Sequence, residues 1–199
     1  MGYTTNFNGR IKLDRKLTPE QAAYLRKFAE TRRMKRDARI TAGRPDPIRH
    51  AVGLPTGIEG EFFVGADGSF GQEMRDAPGL LDSNTPPQTQ PGLWCQWTVS
   101  DDQQGIEWDE GEKFYAYEAW LSYNMENFLK PWGYTANGEI HWQGESSNDS
   151  GTILVVNNKI TSFSGDSPLF DLAVAGLKIV GDWESYDRPS FDDLYEEDY

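Results

Sequence analysis

Residues 138–163, GEIHWQGESSNDSGTILVVNNKITSF, set the fold class. In 138–145, Ile140 and Trp142 alternate with Glu139, His141, Gln143 and Glu145. A period of two marks a strand with one apolar and one polar face. TILVV at 152–156 reads as a second strand. Asn157-Asn158 follows it, and asparagine tolerates positive φ, so KITSF returns as the far arm of a tight hairpin. Consecutive strands joined by short turns build an antiparallel sheet.

The same reading extends upstream. Phe114, Tyr117, Leu121 and Phe128 keep helical spacing, and Pro131 ends that helix near residue 129. Asp109 with Glu112 reads as its N-cap and the acid three residues on. Residues 93–99 alternate Leu93, Cys95, Trp97 and Val99 with Gln96 and Thr98. The turn SDDQQG then leads to Ile106 and Trp108, which predicts a hairpin. Residues 4–13 alternate as well: Phe7, Gly9, Ile11 and Leu13 take one face, Asn6, Asn8, Arg10 and Lys12 the other. Thr18, Pro19 and Gln21 then supply an N-cap, a proline at the first helical position and a capping box. Tyr24, Leu25 and Phe28 form the apolar stripe of that helix.

The order is therefore β-α-(long loop)-β-β-α-β-β-β. It predicts an α+β fold, with a mostly antiparallel sheet of about six strands, two helices on one face, a long irregular insertion and a C-terminal extension. A ferredoxin-like core fits the first part of this order, while the last two strands and the long loop lie outside it.

The insertion, residues 37–92, holds seven of the eleven prolines and nine of the twenty glycines, so it reads as a long Gly/Pro-rich loop. GIEGEFFVGADG, with Phe62, Phe63 and Val64 between glycines, reads as a short hairpin within it. Residues 1–165 are expected to form a single α+β domain. Residues 166–181, whose apolar side chains fall nearly all round, read as a docking segment. Residues 182–199, DWESYDRPSFDDLYEEDY, read as a flexible acidic tail.

GYTTNFNGRI, FAETRRMKRD, GLWCQW, EKFYAYEAWL, FLKPWGY and NGEIHWQGE together resemble a family of small hypothetical proteins of bacterial and phage genomes. The resemblance covers roughly residues 2–163 and implies an accessory protein of phage or prophage origin. It implies no catalytic residue.

Charge is divided unevenly. The first fifty residues hold thirteen Lys/Arg and five Asp/Glu, whereas the whole chain has a net charge of −13. Charge of one sign gathered on one stretch acts on partners more than on the fold. Arg32, Arg33, Lys35, Arg36, Arg39, Arg44 and Arg49 are the candidate residues for a phosphate or an acidic partner. A solvated helix end, or a cluster covered by acids of the same molecule, are the plainer readings. Asp192, Asp193, Glu196, Glu197 and Asp198 are the candidate residues of the acidic tail.

Other chemistry has less support. His50 and His141 are the two histidines and Cys95 the single cysteine, which argues against a Cys/His metal site and rules out an internal disulfide. Cys95 sits at an apolar parity and reads as a buried structural thiol. Gly65, Gly68 and Gly71 fit neither a dinucleotide fingerprint nor a P-loop. Glu107, Glu139 and Glu145 sit on polar strand positions near Trp108 and Trp142, and could serve acid/base chemistry.

The leading expectation is a non-enzymatic regulatory protein that binds a partner protein through charged surfaces. A nucleotide- or nucleic-acid-binding module built on the basic cluster is the second, and an enzyme using those carboxylates the third. No catalytic residue, cofactor, metal or membrane contact is expected. A homo-oligomer stays open, and a cytoplasmic location fits the lack of a long apolar run.

Overall fold

The computed structural model describes residues 2–66 and 77–165. The docking segment 166–181 and the acidic tail, with Asp192, Asp193, Glu196, Glu197 and Asp198, lie outside the described residues, as do Gly68 and Gly71. Met1–Gly165 form one compact unit.

Its frame is a six-stranded antiparallel sheet. The strands are β1 (Thr5–Leu13), β4 (Trp97–Val99), β5 (Gly105–Trp108), β6 (Ala136–Gly144), β7 (Ser150–Val156) and β8 (Lys159–Ser164). They lie in the order β4-β5-β1-β6-β7-β8. Helix α1 (Pro19–Glu30) follows β1, and α4 (Tyr117–Asn124) follows β5. Taken as β1-α1-β4-β5-α4-β6, with β6 and β5 flanking β1 and β4 outermost, the arrangement is the ferredoxin-like split β-α-β plan. The β7–β8 hairpin extends the sheet beyond β6.

Alternation sorts the side chains as the sequence predicts. Ile11, Leu13, Trp97, Val99, Ile106, Ile140, Ile153 and Val155 share one core with Tyr24, Leu25 and Phe28 of α1 and Trp120 and Leu121 of α4. Thr18 caps α1: its hydroxyl accepts from the Gln21 amide while the Gln21 side chain accepts from the Thr18 amide. Asn157 and Asn158 take φ of 48° and 66° at the β7–β8 turn, both positive as a primed turn requires.

Gly9 and Gly138 let β1 and β6 approach closely at the centre of the sheet. They lie on the inner face of β1 and β6, two residues apart in register, with φ of +106° and +149°. A Cβ on Gly9 would come within 2.5 Å of the Glu139 carbonyl oxygen, and one on Gly138 within 2.6 Å of that of Arg10. The two backbones approach so closely that neither position admits a side chain.

Three expectations need correction. First, residues 37–92 are not one structureless loop. They contain α2 (Ala38–Ala42), α3 (Pro47–Ala51), a 3₁₀ turn (Ile58–Gly60) and β3 (Leu80–Asp82), which pairs with β2 (Lys35–Arg36). Second, the expected hairpin at Phe62–Val64 is instead the irregular exit of that 3₁₀ turn, and it buries Phe63 and Val64 to 1% and 0% exposure. Third, Asp109 caps no helix. Its Oδ1 accepts from the Gly111 amide in a local turn, and α4 begins only at Tyr117. The helix continues as a π turn over Met125–Leu129, with the Lys130 amide bonded to the Met125 carbonyl, and so ends where Pro131 requires.

Candidate functional site

The basic cluster follows directly from α1, and the fold takes three of its seven cations inward. Arg33, Arg36 and Arg49 are 2%, 2% and 3% exposed. Arg33 Nη2 donates to the carbonyls of Glu61 (2.7 Å) and Phe63 (3.0 Å), and its guanidinium lies 4.2 Å from the Phe28 ring centre. Arg49 Nε pairs with Asp46 Oδ2 at 2.8 Å, and its Nη1 donates to the Leu54 carbonyl at 2.7 Å. Arg36 lies over the Phe63 ring. Burial pushes its pKa down to about 10, and the neighbouring charges of Arg33 and Arg44 act in the same direction.

The remaining cations are nearer the surface. Arg32 donates to the Ser83 carbonyl, Lys35 pairs with Glu59 at 2.7 Å, and Arg44 donates to the Pro78 carbonyl. Arg39 is exposed. The seven cations therefore do not form one exposed recognition patch. An irregular segment has no ladder to satisfy its carbonyls, and guanidinium groups with five donors each take over that task.

A dense run of exposed acids lies elsewhere, between residues 101 and 118. Asp101, Asp102, Asp109, Glu110, Glu112 and Glu118 are exposed and Glu107 is half-buried, with Lys113 the single cation of the stretch. The stretch is firmly seated. Phe114 is buried against Phe7 and Trp97, the Trp97 indole donates to the Tyr117 carbonyl, and the Gln96 side chain donates to the Glu112 carbonyl. Glu110, Lys113 and Ala116 hold φ of 63°, 58° and 53°, a left-handed backbone that L residues adopt only when their surroundings enforce it. The result turns Phe114 inward and Tyr115 outward, the latter 59% exposed. Asp102 is drawn down to about 2, mainly by the Ser100 hydroxyl and the Gln104 amide, with Arg10 at 2.8 Å adding to the effect.

The outer face of the sheet carries Glu107, Arg10 and Glu139 on neighbouring strands, with His141 and Thr152 beside them. Partial burial pushes Glu107 up against the opposing pull of Arg10. Glu145 does not join this face; its carboxylate accepts from the Thr4 amide.

Cys95 is 0% exposed, and burial pushes its thiol up to about 12. At pH 8 its thiolate fraction falls so far that modification by a disulfide reagent should run roughly 10³-fold or more below the rate of free cysteine. One full equivalent should react once denaturant is added. Rapid reaction of the native protein in a time-resolved thiol assay would contradict this burial.

Among the described residues no three His, Cys, Asp or Glu side chains are placed to hold a metal ion, and no helix is long and apolar enough to cross a membrane. No family model, curated protein or solved structure matches the chain.

Proposed function

We propose that the protein is an interaction protein that binds a basic partner protein through the acidic face at residues 101–118. The observation that carries this reading is Tyr115, exposed on a firmly held loop and flanked along the chain by the exposed acids Asp109, Glu110, Glu112 and Glu118. Tyrosine is favoured at the energetic centre of interfaces because it brings large area at little entropic cost, and a rim of one charge sign steers an oppositely charged partner. The resemblance to small proteins of bacterial and phage genomes supports an accessory of phage origin acting in the host cytoplasm. The burial of Arg33, Arg36 and Arg49 weakens the reading of a nucleotide or nucleic acid held by the basic cluster.

The test is capture from a bacterial lysate at low and high salt, followed by measurement of the purified pair. Tyr115→Ala should weaken a genuine partner by about 30-fold or more, the range of a hot-spot residue. Glu110→Lys with Glu112→Lys should slow association and flatten its salt dependence. A partner held equally by both variants, or a nucleic acid recovered in its place, would refute the proposal.

A further inference from the structure

One row of side chains crosses the outer face of the sheet: Asn8 of β1, His141 of β6, Thr152 of β7 and Phe163 of β8 are successive register partners. His141 Nδ1 lies 2.9 Å from Thr152 Oγ1. His141 Nε2 lies 3.5 Å from Glu139 Oε1, two residues along the same strand and so on the same face. The Glu139 side chain is 4% exposed, and its Oε1 makes no hydrogen bond among the described residues. Arg10, its register partner on β1, is committed to Asp102. The His141 side chain is 31% exposed and Thr152 8%, so the relay meets solvent mainly through the imidazole.

We propose that Thr152, His141 and Glu139 form a hydroxyl–imidazole–carboxylate relay for acyl transfer from small esters, an activity separate from partner binding. The charge of the buried carboxylate, 3.5 Å from Nε2, gives the relay its proposed direction. A buried carboxylate beside Nε2 favours the tautomer that carries its proton there. Nδ1 then presents its lone pair to the Thr152 hydroxyl, the position of a general base against a nucleophile. The roles match a serine-type triad, with both ring nitrogens exchanged.

In the reaction, Thr152 Oγ bonds to the ester carbonyl carbon while its proton passes to His141 Nδ1. The ester C–O bond then breaks, and the leaving alkoxide takes that proton. Water, deprotonated by the same nitrogen, attacks the acyl-threonine. The carboxylic acid departs as the proton returns to Thr152. Glu139 keeps its charge throughout and acts as a positioning residue that stabilises the transient imidazolium.

The experiment exposes the purified chain to p-nitrophenyl acetate and to a fluorophosphonate, and maps any adduct by mass spectrometry. The expected result is a single adduct on Thr152. It should persist in Thr152→Ser and disappear in Thr152→Val, which keeps the side-chain volume and the strand. His141→Gln should slow labelling by about 10²–10⁴-fold, the usual range for a general base. Glu139→Val should slow labelling too, and should change the ¹⁵N imidazole shifts of His141 away from the Nε2–H tautomer, a signature that loss of packing would not produce. An adduct at another residue, no adduct at all, or labelling unchanged in His141→Gln would overturn the proposal. Circular dichroism of each variant separates lost chemistry from lost fold.

Discussion

Gly138→Ala is expected to cost about 2–5 kcal/mol of unfolding free energy. Two penalties combine. A φ of +149° is hostile to any L side chain, and the new Cβ would stand 2.6 Å from the Arg10 carbonyl oxygen and 3.1 Å from Ile11 Cα. The left-handed side of backbone space costs roughly 1–2 kcal/mol for an L residue, and overpacking a tight site costs typically 1–3 kcal/mol more. Neither neighbour can swing aside, because both are backbone of the central strand. Gly53→Ala is the internal control: it also has positive φ, at +70°, but nothing lies within 4 Å of its Cβ position. It should lose only the conformational share, about 1 kcal/mol. Chemical denaturation of the two variants decides the matter, and equal losses would show that the close approach of β1 and β6 contributes nothing.

Asp46→Ala is expected to cost a similar amount, about 3–5 kcal/mol, for an electrostatic reason. Asp46 is 1% exposed, and its Oδ2 accepts from both Arg49 Nε at 2.8 Å and the Val64 amide at 3.2 Å. Truncation leaves the Arg49 guanidinium buried without its counter-charge and the Val64 amide without its acceptor. Replacing both partners should be milder: Asp46→Ala with Arg49→Met should cost clearly less than the two single losses added together, since no lone charge remains inside. A double variant equal to that sum would mean that the two side chains act independently, contrary to the ion pair.

These two sites differ in how far the sequence disclosed them. Strands β1, β6, β7 and β8 and the start of α1 were legible, because alternation, the Thr18–Gln21 capping box and the Asn157-Asn158 turn are local signals. The interior of residues 37–66 was not. Its backbone groups are satisfied by Arg33, Arg49, Asp46 and Glu61, and such bonds follow no period along the chain. The apolar triplet Phe62-Phe63-Val64 was the available clue that this segment needed a buried seat. Charge counted along the sequence was equally blind to burial, so Arg33 and Arg36 looked like surface cations. Asp109 and Glu112 had the spacing of a cap, yet the pull of Phe114 into the Phe7–Trp97 rings postponed the helix to Tyr117. The likeness of Thr152, His141 and Glu139 to a relay required the β6–β7 register, which no single strand contains.

The place of β1 in the sheet also has a consequence for synthesis. Thr5–Leu13 is made first, but its partners are β5 and the whole length of β6, with Thr5 opposite Gly144. At the usual pace of translation the strand waits on the order of ten seconds for β6. During that interval Phe7, Ile11 and Leu13 lack the cover of β6, whereas β4 and β5, made within it, close on each other across a short turn. The chain therefore completes its centre only once β6 is made, after the β4–β5 hairpin at one margin is already available and before β7 and β8 exist. Its vulnerable period is the time spent as a nascent chain, and conditions that slow elongation between residues 13 and 136 lengthen it.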